Sequence, residues 1–167
     1  MKFIDLHDHE AWHPAGGEDG PPVNITPSAN LLLSIEQWHA IRAQWPAALP
    51  VGVSLPNTAD VEEALGSALG PITLIALHFP KWTDGRAYTQ ARLLRQRLRF
   101  AGEIRATGEV LVDMLPLMKR TGFDAAVLRS DQRRDVAEKT LAFFAEGHYQ
   151  GDVQDSRPWF LRAGSAA

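Results

Sequence analysis

Three basic residues are spaced so that different parts of a fold can bring them to one anion. Lys81 and Arg86 belong to "FPKWTDGR", and Arg105 lies in "GEIRATG". Guanidinium forks and ammonium groups match the oxygens of sulfite, sulfate or phosphate. Arg86 falls in the first turn of an expected helix, where the dipole favours an anion over a cation. It either serves a captured anion or pairs with Asp84, which with Thr83 is a natural cap. Thr83 and Thr107 offer hydrogen bonds to a ligand, Asp84 and Asp113 offer orientation, and Gly108 sits in the same segment. Asp113, Glu103, His78 and Arg105 are also the groups from which acid–base chemistry would be built.

The positive charge is local. From Lys81 to Arg105 there are seven basic and two acidic residues, a net +5, while the whole chain is −3. That mild overall charge argues against a dedicated nucleic-acid binder but leaves room for an anion site. Arg92, Arg95, Arg97 and Arg99 read as the wet flanks of a packed helix, their stems covering apolar surface.

A second cluster, "HDHEAWH", offers His7, His9 and His13 with carboxylates between them. Imidazole and carboxylate suit a transition metal, but no second group with ligand spacing follows, so a polar surface loop is the simpler reading. No G-x-G-x-x-G and no P-loop is present, so neither NAD nor ATP is indicated and the cofactor is left open. Cysteine is absent, which removes disulfides and thiolate metal sites and fits a reducing cytoplasm. The opening residues do not form a signal peptide, and the longest apolar run, "ITLIALHF", is strand-length, so no membrane is expected.

These residues need a frame. Residues 1–30 read as an irregular amino-terminal segment, in which "KFIDL" suits a short strand and "HPAGGEDGPPVNITP" a loop, 31–150 as one α/β domain and 151–167 as a polar tail. In the central part, strand-like and helix-like stretches alternate about five times. "LLLS", "VGVSL", "ITLIALHF", "GEIRATG" and "FDAAVL" are the strands. Ser34 is a plausible cap for the first helix, and Gly122 suits the end of the fourth. On the helix after "FPKWTD", Ala87, Ala91, Leu94 and Leu98 share one face. The pattern predicts an α/β domain with a mostly parallel sheet, open or curled into a partial (β/α)-barrel arc. Ligands in such folds sit at the carboxyl ends of strands. In "GEIRATG", Ile104 and Ala106 face the helices, which puts Glu103, Arg105 and Thr107 on the other face. A charge there must be paired or hold a ligand.

The run "FPKWTDGRAYTQARLLRQRLRFAGEIRATGEVLVDML", followed by "RTGFDAAVL", resembles a bacterial family known as domain of unknown function 934. The likeness covers roughly residues 50–150. It is carried by Phe79, Pro80, Asp84, Gly85, Arg86, Tyr88, Ala91, Arg92, Leu94, Arg95, Gly102, Glu103, Arg105, Ala106, Gly108, Val110, Leu111, Asp113, Gly122, Phe123 and Asp124. The resemblance implies a link to assimilatory sulfite reduction and an oxidoreductase label, with sulfite reductase or another sulfur-assimilation protein as a partner. The expected function is therefore an accessory protein that binds a small oxyanion or a partner at the strand ends. A stand-alone acid–base enzyme and a docking protein without its own chemistry are the alternatives. An arc with open sheet edges is also compatible with a homodimer.

Overall fold

The structure is a computed structural model and describes residues 1–4, 12–16, 25–66, 69–143 and 153. Its strands are β1 (Lys2–Ile4), β2 (His13–Pro14), β3 (Leu31–Ser34), β4 (Val51–Leu55), β5 (Ile72–Phe79), β6 (Glu103–Gly108) and β7 (Ala125–Val127). Its helices are α1 (Ile35–Ile41), α2 (Val61–Leu65), α3 (Arg86–Gln96), α4 (Leu115–Thr121) and α5 (Arg134–Phe143), with 3-10 turns at Arg42–Gln44 and Val112–Met114. The strands form one sheet in the order β1-β7-β6-β5-β4-β3-β2, and every pairing is parallel.

That order decides where the helices lie. From β3 to β7 each crossover moves one strand in the same direction. Crossovers of one hand then place all their helices on one face. The buried residues agree: Val53, Ile75, Leu77, Ile104 and Ala126 pack with Trp38, Val61, Ala91, Leu94 and Met118. The sheet forms a curled half-barrel with interspersed helices. Its order is that of a (β/α) barrel cut between its first two strands.

The expected α/β architecture and its five strand–helix units are present. β1 falls within "KFIDL", where the sequence allows a short strand, and β2 falls at the start of the stretch read as an irregular loop from its Gly/Pro content. At two residues, β2 is too short for a hydrophobic period to reveal. Ser34 caps α1 through a capping box with Gln37, at 3.2 Å and 2.8 Å. Gly122 ends α4 in the left-handed region, at φ +109°. On α3, Ala87, Ala91 and Leu94 are fully buried, so this helix presents the expected face.

Candidate functional site

Parallel register fixes which side chains share the inner face. Ser34, Ser54, Ala76, Arg105, Ala125 and Lys2 are successive partners across the sheet, so they form one row pointing away from the helices. Arg105 is only 3% exposed in this row. Its neighbours Ala76 and Ala125 are also buried, and their small side chains leave the space that its guanidinium takes. Glu103, two residues earlier on the same face, accepts from Arg105 Nε at 2.8 Å and Nη2 at 2.5 Å. The alternation read from "GEIRATG" is therefore the real one, and the buried charge is paired.

The next row toward the carboxyl ends holds His78 beside Thr107. His78 Nδ1 lies 3.5 Å from Thr107 Oγ1, which lies 3.4 Å from the Leu77 carbonyl oxygen. Gly108 follows at φ +90°, and a Cβ there would stand 2.4 Å from Phe79 O and 2.7 Å from His78 Cε1. Only glycine satisfies both the backbone angle and the packing of the imidazole against the strand end.

The loop between β5 and α3 forms the rim. Arg86 lays its fork on Asp84, with Nε to Oδ1 at 3.0 Å and Nη2 to Oδ2 at 2.6 Å. Oδ1 also accepts the Arg86 backbone N–H at 3.3 Å, so Asp84 fills the anion position at the start of α3. The hydrogen bonds from Arg86 hold the Asp84 carboxyl far below the usual carboxylate range, and the nearby Asn57 amide adds a smaller depression. Asn57 itself is buried, and its Nδ2 makes no hydrogen bond of normal length. Its loop is tied to α3 by Gln90 Nε2, which donates to Pro56 O and Ala59 O at 2.9 Å. Lys81 and Thr83 are exposed on this loop, and Trp82 is 57% exposed between them.

Of the residues read from sequence, the structure thus brings together three pairs: Glu103 with Arg105, His78 with Thr107, and Asp84 with Arg86. Among the described residues no hydrogen bond joins one pair to another. Asp113 is exposed in the 3-10 turn before α4. His7 and His9 lie outside the described residues, and His13 is exposed in β2. Among the described residues no three His, Cys, Asp or Glu side chains group as metal ligands.

Other groups escaped the sequence reading. Arg129, just past β7, bridges Glu109 at 2.7 Å and Asp131 at 2.6 Å, giving the mouth a second charged corner. Its position in "LRSD", after a strand, was the available signal. Arg95 differs more, because it is not a wet flank. Its side chain is 13% exposed and donates to Gly122 O at 3.0 Å, Phe100 O at 2.5 Å and Gly102 O at 2.9 Å, while pairing with Asp124. These carbonyls lie where β6 and β7 begin, on the end of the sheet opposite the mouth. Charge runs on helices are usually solvated; here two carbonyls from the segment after α3 and a carbonyl and a carboxylate from the segment after α4 converge on one guanidinium, and helical periodicity does not encode that.

No helix among the described residues is long and apolar enough to cross a membrane. No curated protein shows significant similarity to the chain. A family model described as bacterial protein of unknown function, DUF934, matches residues 52–160, spanning the mouth from Asn57 to Asp131 as well as the Arg95 cluster, and the chain belongs to that family.

Proposed function

We propose that this chain is an accessory protein of assimilatory sulfite reduction that holds a small oxyanion at the carboxyl ends of β5 and β6. The link to sulfite reduction comes from the family resemblance, and the oxyanion comes from the chemistry of the mouth. The observation that carries the reading is the arrangement on the inner face. A buried guanidinium, Arg105, stands among alanines, with Thr107 and His78 above it and Lys81 on the rim. Buried cations on the non-helical face of a parallel sheet are costly unless they serve a pair or a ligand. Glu103 neutralises Arg105, so the ligand's charge would be met chiefly by Lys81 and by hydrogen-bond donors.

Calorimetric titration with sulfite, sulfate and phosphate tests this, using Arg105→Gln as the comparison after circular dichroism shows that it is folded. Binding that weakens at least tenfold in Arg105→Gln is the expected result. Absence of binding to all three anions by the folded wild-type chain would sink the proposal.

A docking role is the second reading, favoured by the exposure of Trp82 beside Lys81 and Arg86. It predicts capture of sulfite reductase that weakens at high salt and is lost in Trp82→Ala.

A further inference from the structure

We infer that the mouth selects an oxyanion that still carries a hydroxyl proton, with His78 Nε2 as the acceptor for that proton. This rests on the oxyanion reading above and adds the substrate class. The argument starts at Thr107. Its hydroxyl has one proton and two contacts, Leu77 O at 3.4 Å and His78 Nδ1 at 3.5 Å. A carbonyl oxygen only accepts. The two contacts, both at the long end of hydrogen-bond range, can be satisfied at once in one arrangement only: Oγ1–H donates to Leu77 O, and His78 Nδ1–H donates to Oγ1. In a neutral imidazole the second nitrogen is then a bare lone pair.

The backbone holds the ring in that pose. Gly108 lies against the Nδ1–Cε1 edge, where an added Cβ would come within 2.9 Å of Nδ1 and 2.7 Å of Cε1. His78 Nε2 has no hydrogen-bond partner among the described residues, and the side chain is exposed at the carboxyl end of β5. A lone pair fixed there repels a fully deprotonated oxygen and accepts an O–H. Monohydrogen phosphate or hydrogensulfite fits that requirement, and sulfate does not. Loss of a hydrogen-bonding hydroxyl from a ligand leaves the site's polar atom unpaired, which is the physical basis of such discrimination.

Inorganic phosphate and sulfate make the test. Near pH 8 both are chiefly tetrahedral dianions, and only phosphate keeps a proton. Calorimetry on the wild-type chain is expected to show phosphate binding roughly tenfold or more tighter than sulfate. In His78→Ala the ratio should fall toward one through loss of phosphate affinity, with sulfate little changed. Thr107→Val, which removes the acceptor for Nδ1–H, should reduce the ratio without abolishing binding. Sulfate binding as tight as phosphate, or a ratio unchanged in His78→Ala, would overturn the inference while leaving the oxyanion site standing. Binding of neither anion sinks both. Long-range nitrogen–proton correlation spectra of the free wild-type protein give an independent reading: the Nδ1–H tautomer of His78 is required, and an Nε2–H tautomer would refute it without any variant.

Discussion

Arg95 on α3 and Asp124, just before β7, form an ion pair across 29 residues of chain, and the same carboxylate oxygen accepts the Ile104 backbone N–H at 2.8 Å. Gly122 fits this contact closely, since a Cβ there would lie 2.6 Å from Arg95 Cγ. Gly102, whose carbonyl Arg95 also holds, has no room for a side chain either: a Cβ would lie 2.5 Å from Thr73 O. The amino-terminal end of a barrel-like sheet is where stability is built, and the carboxyl end is where ligands bind. The family motifs divide along the same axis. Arg95, Gly102, Gly122 and Asp124 lie at the first end; Asp84, Arg86 and Gly108 lie at the second, with Arg105 on the inner face between.

Arg95→Ala should therefore destabilise the fold strongly. It strands three carbonyl groups and a half-buried carboxylate, which corresponds to about 2–4 kcal/mol. Asp124→Asn should cost less, because an amide oxygen still accepts the Ile104 N–H. The double variant should lose less than the sum of the single losses. Urea unfolding measures all three. A loss below about 0.5 kcal/mol for Arg95→Ala would mean that the cluster contributes no more than an ordinary surface pair.

Glycine at 108 should be harder to replace than glycine at 66. Both have positive φ, +90° and +66°, but a Cβ at Gly66 meets nothing within 4 Å. Gly66→Ala thus carries only the backbone strain, roughly 1–3 kcal/mol at φ +66° and ψ −163°. Gly108→Ala adds a collision with Phe79 O, which is backbone and cannot rotate away. The expected cost exceeds that at Gly66 by roughly 1–3 kcal/mol, with a shift in the His78 ring resonances. Equal losses at the two positions would show that the β6 end yields easily and that His78 is not held by it.

How far the sequence reveals this molecule depends on whether a feature is local. Period-two alternation in "GEIRATG" places Arg105 on the inner face, and the Ser34 and Gly122 signals mark helix ends, because each is decided within a few residues. The pairing of Arg86 with Asp84 is equally local and is one of the two readings its position allows. Asn57, Glu109 and Arg129 follow strands, so the strand pattern already puts them at the mouth, but their partners are set by tertiary placement, and the Arg95–Asp124 contact joins α3 to a segment that only the completed sheet brings beside it. β2 is invisible for another reason. At two residues it is stabilised by its neighbour β3, not by any pattern of its own.

The two rim carboxylates should titrate unusually late in acid. Arg86 holds Asp84 far below its ordinary 3.8, and the Arg129 hydrogen bonds hold Asp131 at about 2. A carboxylate depressed in the folded state binds fewer protons there than in the unfolded chain. Its contribution is present above the unfolded value and is lost as pH falls toward the folded one. The fold should weaken on acidification below about pH 4. Carbon-detected titration should show the Asp84 and Asp131 side chains still mostly ionised at the pH where an aspartate of the unfolded chain is half protonated. Arg86→Gln should return Asp84 to the ordinary range and leave Asp131 where it was. Movement of both would point to global unfolding, not to loss of a local partner.

At the alkaline end the relevant group is Tyr88, which packs on Phe79 and Phe123 at 5.2 Å and 6.4 Å between ring centres. Edge-to-face contacts of this kind fix the start of α3 against the ends of the strands. Burial penalises the phenolate and pushes the Tyr88 hydroxyl up to about 12. A group whose folded value is raised supplies stability that is complete below the unfolded value near 10 and disappears as pH climbs through the folded one. Absorbance titration of the chain's two tyrosines should accordingly show a step near 12 that is missing in Tyr88→Phe. The same variant should keep its stability to higher pH than the wild type, because it has no phenol to ionise. Both tyrosines titrating together near 10 would place the Tyr88 ring in solvent and open the aromatic cluster beneath the mouth.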